Sequence, residues 1–402
     1  MKFAVQATSS TSSARAGVLT ELGRLADREI HTPACLLYTT SGSAPYLTHS
    51  LLAQYLKGAP LVAHLPIGFA AEHQESLEAF GKGMGKYAVM ENRLIFSTFH
   101  DSAEGFPTGF NDKNGASVWS RGGKIKLDVE RFIKLQEAIR PDWYQPLCDS
   151  DTDRNSSKKR LQKAVDRTLH FLDSCIEKHS ASQVLKSSAI FGVIEGGYDV
   201  NERIRSAKQT CLRPVEGFIL DGFHRFGPEM EQFQIMDIEA VLKDTTAVLP
   251  DHKVRYLPGI WSPQAIIKAV QCGIDLFDST YPYLLTERGC ALVFPFKVSP
   301  GLTDENIWNN EASYHIDLND KRYFDDFTPL LKGCECYTCQ NYTKAYLNHL
   351  CNTGELLRGV LLMIHNFHHF FSFFETLRKS TEENKLETFR KLVERTEVTK
   401  PS

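Results

Sequence analysis

Ala189-Ile190-Phe191-Gly192-Val193-Ile194 is a continuously apolar stretch of strand length, and Glu195 and two glycines follow it directly. Similar runs recur along the 402-residue chain, at 34–38, 61–65, 94–97, 143–147, 217–220, 254–257 and 274–277. Continuous rather than alternating apolarity is typical of parallel strands that are buried on both faces. Amphipathic segments, such as 129–139 and 156–179, separate many of these runs. The alternation predicts an α/β fold, and eight such strands predict a (β/α)₈ TIM barrel. A doubly wound open sheet is the alternative, but no G-x-G-x-x-G follows the first strand.

The division of the chain follows from where this rhythm is interrupted. We expect the Ser/Thr-rich residues 1–20 to be disordered and residues 21–300 to form the barrel. A β-hairpin is expected near 116–127, turning on Gly122 and Gly123. Residues 301–390 are expected to form a C-terminal zinc-binding helical subdomain with terminal helices, and 391–402 a tail.

The composition limits the classes of function. With 46 basic and 49 acidic residues the net charge is −3, so any contact with nucleic acid needs a local basic patch. The ten cysteines are mostly scattered singly, and no secretory segment begins the chain, so a reducing, intracellular compartment is expected. No stretch reaches the roughly 18 uninterrupted apolar residues of a membrane span.

Three cysteines within six residues, Cys334, Cys336 and Cys339, form a C-x-C-x-x-C cluster. Zinc favours four tetrahedral Cys/His ligands, and three thiolates with one imidazole are a common structural set. The cluster therefore predicts one structural Zn²⁺ per chain, the alternative being three buried free thiols. On the residues alone His365 is the candidate fourth ligand, with His349, His368 and His369 left open.

Carboxylates follow several of the predicted strands: Asp101, Asp149, Glu195, Asp221 and Asp278. Barrel active sites lie at the C-terminal ends of the strands, where such groups can serve as nucleophile or as general acid and base. Strand-end aspartates that cap helices or pair with loops are the alternative, because a barrel fold does not by itself imply catalysis.

Several motifs together carry a resemblance to a known family. They are residues 323–330 running into the cysteine cluster, residues 345–350, Ile364-His365-Asn366, residues 191–197 and residues 273–278. From about residue 32 to 378 the chain resembles the tRNA-guanine transglycosylases. The resemblance implies that Cys334, Cys336, Cys339 and His365 hold the zinc. It also implies a nucleophile at Asp278, an acid/base group at Asp101 and a base-recognition group at Asp149.

The sequence departs from the family pattern around these positions. Residues 102–104 lack the family's glycine pair, Glu195 replaces a glutamine, Asp221-Gly222-Phe223 replaces Gly-Gly-Leu, and Trp261 stands in a turn that the family keeps small. An ionised glutamate can only accept hydrogen bonds, unlike the amide it replaces. A rebuilt pocket discriminates bases poorly. We therefore assign no catalytic residue, and treat Asp278, Asp101 and Asp149 as vestigial candidates.

The resemblance is strongest to the family's non-catalytic subunits. It implies a heterodimer in which a catalytic subunit exchanges guanine for queuine at the tRNA wobble position, while this chain helps to bind tRNA. Two alternatives remain: a self-sufficient transglycosylase with Asp278 as nucleophile, and a zinc-stabilised scaffold without an RNA role. The family's dimer is built around the zinc subdomain, where the aromatic run 367–374 either offers apolar surface or packs as core.

Contact with tRNA is expected from the same resemblance, and local basic charge gives the candidate residues for it. The candidate tRNA-binding residues surround the zinc subdomain and are basic: Lys332, Lys344, Arg358, Arg378 and Lys379. The basic run at 158–160 is instead expected on the exposed side of a long helix. The expected location is cytoplasmic; a homodimer of the chain alone and peripheral contact with the mitochondrial outer membrane stay open.

Overall fold

Eight neighbouring parallel strands close into a barrel in the computed structural model, which describes residues 1–296 and 313–394. The strands are Ala34–Cys35 with Leu37–Tyr38 as the first, then Val62–Pro66, Leu94–Thr98, Trp143–Tyr144, Ala189–Ile194, Gly217–Leu220, Val254–Tyr256 and Leu276–Phe277. Leu276 pairs with Ala34, and Leu37 pairs with Ala63, so the first strand joins the two ends of the sheet. The predicted (β/α)₈ barrel is confirmed.

Helices connect the strands and cover the outside of the barrel. They are His49–Tyr55, Ile67–Glu72, Gln74–Phe80, Met84–Tyr87, Val129–Ile139, Lys158–Ala181, Val200–Cys211, Glu239–Thr246, Pro263–Gln271 and Thr280–Glu287. Several begin at a side-chain cap, because Asp128, Ser157 and Ser262 each accept a hydrogen bond from a backbone N–H of the first turn. Short 3₁₀ turns lie at Gly23–Leu25, Pro228–Gln232, Ile235–Asp237 and Lys321–Tyr323.

The first twenty residues are ordered, so the prediction of a disordered N-terminus is wrong. Lys2–Thr8, Arg15–Thr20 and Ile30–Thr32 form an antiparallel sheet. Its apolar side chains Phe3 and Leu19 are buried. Arg15 donates to both carboxylate oxygens of Asp275 at 2.8 and 2.6 Å. Because Asp275 directly precedes the eighth strand, this sheet lies at the N-terminal end of the barrel. The Ser/Thr-rich composition belongs mainly to the turn at 9–13.

The hairpin expected near 116–127 is an antiparallel pair, Ala116–Ser120 with Gly123–Leu127. Gly123 has a φ of 109°, a backbone conformation that favours glycine, and it is the first residue of the second strand of the hairpin. The hairpin lies in the connection between the third strand and the helix Val129–Ile139, and therefore on the C-terminal face of the barrel.

The C-terminal subdomain combines a short antiparallel sheet with helices. Cys290–Leu292 pairs with His315–Asp317. The helices are Tyr337–Asn341, Lys344–Thr353, Leu356–Glu382 and Leu386–Glu394. Of the expected tail, residues 391–394 are helical and 395–402 lie outside the described residues, as do 297–312.

The aromatic run of the long helix is core. Phe367, Phe370, Phe371, Phe373 and Phe374 are each at most 5% exposed. Their partners belong to the barrel and its neighbouring elements: Phe277, Tyr281, Phe294, Phe296 and Phe389. Of the two readings of this run, core packing is therefore confirmed and the free apolar surface is wrong.

Candidate metal centre and barrel mouth

The three cysteines of the C-x-C-x-x-C loop surround one nitrogen of His365. The Sγ atoms of Cys334, Cys336 and Cys339 lie 3.9, 3.4 and 3.4 Å from His365 Nδ1. All four atoms lie within 4.8 Å of one another. A tetrahedral zinc ion with ordinary bond lengths would separate its sulfur and nitrogen ligands by about 3.6 Å. The four side chains can therefore hold a metal ion of that size.

The other ring nitrogen of His365 fixes how the imidazole faces the cysteines. His365 Nε2 lies 2.8 Å from the carbonyl oxygen of Leu292, so it carries the proton and donates it. Nδ1 is then the nitrogen with the free lone pair, aimed at the three sulfurs. Such an outer hydrogen bond is the usual way in which a metal-binding histidine is oriented. Thr338, between the cysteines, donates to the carbonyl of Leu361 at 2.7 Å and ties the loop to the long helix.

Asn366 holds the same helix against the barrel. Its Oδ1 accepts from the backbone N–H of Leu292 at 2.8 Å. Its Nδ2 donates to Thr286 Oγ1 at 2.9 Å and to the carbonyl of Cys290 at 3.0 Å. Asn366 is fully buried, so its amide group is hydrogen-bonded to the protein and not to water. The sequence prediction missed this role, although Asn366 follows His365 directly.

The alternative fourth ligands are placed differently. His369 Nε2 bonds the carbonyl of Phe294 at 3.1 Å. His349 is exposed and lies beside the ring of Tyr346. The cluster that the described residues form with the three cysteines contains His365.

Asp278 follows the eighth strand and is 3% exposed. Its Oδ2 accepts from Ser102 Oγ at 2.8 Å, from the N–H of Gly259 at 3.0 Å and from the hydroxyl of Tyr256 at 3.4 Å. Its Oδ1 accepts from the N–H of Thr280 at 3.0 Å. Both oxygens are thus held by the chain itself, inside the barrel.

Asp149 follows the fourth strand and is fully buried among positive charges. Arg160 donates to both of its oxygens, at 2.7 and 3.0 Å, and Arg167 donates to one at 2.9 Å. Asn111 adds a bond of 3.2 Å. The prediction that the run 158–160 faces solvent therefore holds for Lys158 and Lys159 and is wrong for Arg160, which turns inward. Two arginines seven residues apart on one helix were the signal for this pairing.

Asp101 lies beside open space. Its Oδ1 accepts from the hydroxyl of Tyr38 at 2.8 Å and from the N–H of Ala103 at 2.9 Å. Burial raises the pKa of Asp101 to about 7, although these two hydrogen bonds favour the charged form. A cavity of about 230 Å³ is lined by Asp101, His100, Glu104 and Tyr283 among others. Asp278 and Asp149 do not belong to the described lining of that cavity.

Large side chains occupy the remaining part of the mouth. Phe223 and Trp261 are 1% and 2% exposed. The guanidinium of the buried Arg203 lies 3.5 Å from the centroid of the Phe223 ring. Trp261 Nε1 donates to the carbonyl of Leu257 at 3.3 Å. Phe223 and Trp261, two of the positions at which the sequence departs from the transglycosylase pattern, are therefore packed against the protein itself.

Comparison with known proteins identifies the family to which the chain belongs. The family model described as queuine tRNA-ribosyltransferase matches residues 9–398. The chain belongs to the queuine tRNA-ribosyltransferase family. Among curated proteins, the queuine tRNA-ribosyltransferase accessory subunit 2 of Danio rerio is 42% identical, over 94% of this chain and 95% of that protein. The proteins of the same description from Xenopus tropicalis and Homo sapiens are each 40% identical. Those alignments cover 94% and 95% of this chain and 96% of each relative.

Some of the basic residues predicted to touch tRNA instead bind other groups of this queuine tRNA-ribosyltransferase family member. Lys344 pairs with Asp326 at 2.9 Å. Arg378 donates to the carbonyls of His31 and Pro33 at 3.1 and 3.2 Å, and so ties the long helix to the N-terminal sheet. Lys332, by contrast, is exposed beside the cysteine loop. Among the helices of the described ranges, none has both the length and the apolar character of a membrane span.

Proposed function

We propose that this chain is the non-catalytic accessory subunit of a heterodimeric queuine tRNA-ribosyltransferase. In this proposal it helps to hold tRNA while a catalytic subunit exchanges guanine for queuine at the wobble position. The similarity to accessory subunits along nearly the whole chain supports it. The proposal extends to a cytoplasmic location with peripheral contact at the mitochondrial outer membrane, which rests on the family resemblance alone.

The buried state of Asp278 carries the argument. A carboxylate that attacks a ribose carbon must present a free oxygen to the substrate at close range. The oxygens of Asp278 instead accept four hydrogen bonds from the chain, and the residue is 3% exposed. Asp149, which would recognise the base, is neutralised by two arginines. A substrate would have to displace these internal partners before any chemistry could start.

We further propose that the Cys334, Cys336, Cys339 and His365 cluster holds one structural Zn²⁺. Three thiolates and one imidazole fill a tetrahedral zinc ion and leave no position for substrate. The ion would join the cysteine loop to the long helix, which carries both His365 and the barrel anchor Asn366. Its chemistry would be structural, because metal binding and folding of such a loop are coupled.

A surface next to this cluster has the character of a protein interface. Phe324 and Phe327 are 76% and 75% exposed. The segment that carries Phe327 lies against the helix Lys344–Thr353, because the N–H groups of Lys344 and Ala345 donate to the carbonyls of Thr328 and Asp326. Large apolar side chains exposed together often mark a contact with another protein.

Aromatic rings extend the same surface. The ring centroids of Tyr337 and Tyr342 are 5.9 Å apart, and those of Tyr342 and Tyr346 are 5.5 Å apart. Tyr346 is 40% exposed. Tyrosines are enriched at the centres of protein interfaces, where they contribute much of the binding energy. We propose that this aromatic surface, formed by Phe324, Phe327, Tyr342 and Tyr346, binds the catalytic subunit.

The test is assembly with a purified catalytic subunit, followed by light scattering and by queuine incorporation into unmodified tRNA. Phe327→Ser is expected to weaken the heterodimer about fivefold or more, since a central aromatic anchor is typically worth about 1 kcal/mol or more. Leu212→Ser is the matched control, because Leu212 is 78% exposed but lies at the C-terminal cap of the barrel helix Val200–Cys211. Unchanged assembly of Phe327→Ser would place the interface elsewhere. Failure of the wild-type chain to form a heterodimer would contradict the accessory function itself.

A further inference from the structure

A second group of metal-binding side chains lies inside the mouth of the barrel. Cys148, Glu195 and Asp221 follow the fourth, fifth and sixth strands, which are neighbours in the sheet. The residues are 0%, 0% and 3% exposed. Cys148 Sγ and one carboxylate oxygen from each acid lie within 4.8 Å of one another. None of the three is part of the Cys334 cluster.

Glu195 gives the first reason to expect a ligand here. Neither of its carboxylate oxygens has a hydrogen-bond partner among the residues that the structure describes. A buried carboxylate without a partner is strongly unfavourable unless it takes up a proton or a cation. Burial, followed by the charge of Asp221, raises the pKa of Glu195 well above its ordinary value. Gly222 is shaped around this carboxylate, since a Cβ there would lie 2.0 Å from Glu195 Oε2.

The nearest buried cation does not supply that partner. Arg203 Nε donates to the carbonyl of Gly197 at 2.8 Å, and Nη1 donates to the carbonyl of Ile194 at 2.7 Å. The guanidinium stacks on Phe223. Arg160 and Arg167 are held by Asp149. Arg203 Nη2 has no hydrogen-bond partner among the described residues, so Arg203 acts on Glu195 through its charge and not through a hydrogen bond, and the oxygens of Glu195 stay without a partner.

Cys148 is oriented as a ligand would be. Gln145 Nε2 donates to Cys148 Sγ at 3.3 Å. The orientation of that amide is set by its other end, because Gln145 Oε1 accepts from the N–H of Phe99 at 3.1 Å. The amide donor favours a thiolate, and an outer hydrogen bond of this kind is typical of metal ligands. Burial, followed by the charges of Asp221 and Glu195, nevertheless raises the pKa of the Cys148 thiol well above its ordinary value, so the thiol gives up its proton only when a cation binds.

We propose that Cys148, Glu195 and Asp221 bind a divalent cation of the zinc class. One thiolate and two carboxylates suit Zn²⁺, whereas Mg²⁺ and Ca²⁺ take oxygen ligands without thiolate. On binding, the thiol of Cys148 and any protonated carboxyl release their protons, and the three ligands then offset the charge of the ion and of the nearby arginines. Three protein ligands leave a fourth position for water. The ion would occupy the part of the mouth in which the related transglycosylases recognise a base.

Zinc content of the purified full-length chain tests the site, measured by mass spectrometry after dialysis against metal-free buffer. The wild type is expected to hold two equivalents. Glu195→Gln, which keeps the size of the side chain, and Cys148→Ser are each expected to lose one. Cys175→Ser is the matched control, because Cys175 is a fully buried thiol without this ligand set, and it should keep both.

The variants also separate the two clusters. Retention of one equivalent by Cys336→Ser, which loses the zinc of its own cluster, supports two independent sites. Glu195→Gln and Cys148→Ser are read on protein whose circular dichroism matches the wild type. For Glu195→Gln, cobalt substitution should leave the absorption of a three-sulfur site unchanged while removing a second, weaker component. One equivalent in the wild type, unaffected by Cys148→Ser and Glu195→Gln, would overturn the proposal and leave Glu195 and Asp221 to share a proton.

Discussion

Replacing Asn366 by alanine should strongly destabilise the junction between the long helix and the barrel. The substitution leaves the N–H of Leu292 and the carbonyl of Cys290 without their buried partner, at bonds of 2.8 and 3.0 Å. Thr286 is less affected, because its hydroxyl already donates to the carbonyl of Pro282 at 2.9 Å. A buried polar group left unpaired costs about 1–3 kcal/mol. Two such groups predict a loss of about 4 kcal/mol in the free energy of unfolding.

Denaturant unfolding, followed by tryptophan fluorescence and circular dichroism, measures this loss. Asn352→Ala is the matched control, since Asn352 is exposed and bonds one neighbouring side chain, Asn348, at 3.0 Å. Its effect should stay within about 0.5 kcal/mol. The reasoning is refuted if Asn366→Ala unfolds at the same denaturant concentration as the control, because the three bonds of Asn366 would then contribute nothing to stability.

Three further substitutions test other parts of the structure. Cys336→Ser should release the metal of its cluster and unfold the C-terminal helices; a variant that keeps stoichiometric zinc in that cluster and still assembles with the catalytic subunit contradicts the assignment. Asp278→Ala should leave turnover of the assembled heterodimer within about twofold of wild type, whereas a drop of several orders of magnitude would identify Asp278 as a nucleophile. Asp101 has a pKa of about 7 in the folded state, whereas in the unfolded chain an aspartate releases its proton near pH 4. The folded state therefore holds a proton that the unfolded chain has lost, and the stability that comes from this proton is lost as the pH rises from about 4 to 7. Asp101→Asn has no such proton to lose and should therefore be more stabilising at pH 8 than at pH 4, by about 4 kcal/mol; an effect independent of pH would contradict the raised pKa.

The barrel could be predicted from sequence because its determinants are local. Val62–Pro66 and Leu94–Thr98 are buried at every position, and a strand buried on both faces is apolar at most of its positions. The cysteine cluster could equally be predicted from sequence, since three of its four side chains lie within six residues. The choice of His365 depended on the family motif, because several histidines share the same helix.

Features that depend on contacts distant in sequence were harder to predict. The N-terminal sheet is stabilised by the pair of Arg15 with Asp275, which are 260 residues apart. Its composition alone, rich in serine and threonine, resembles a disordered segment. The aromatic residues of the long helix likewise read as surface or core until their partners, such as Phe277 and Phe294, are known.

The charge pairing at the barrel mouth also could not be predicted from the sequence. Asp149 could be located at a strand end, but its neutralisation by Arg160 and Arg167 requires that the long helix turn two of its arginines inward. The hydrogen bond from Ser102 to Asp278 joins residues 176 positions apart. Such partners distinguish a usable nucleophile from an aspartate that only follows a strand.

Incorporation of labelled queuine into unmodified tRNA tests the central claim most directly. It should be measured with the purified chain alone, with a catalytic subunit alone and with the two mixed. Turnover by the mixture and none by this chain alone is the predicted result. Turnover by this chain alone would contradict the claim, because the buried Asp278 would then have to open to the substrate and act as the nucleophile.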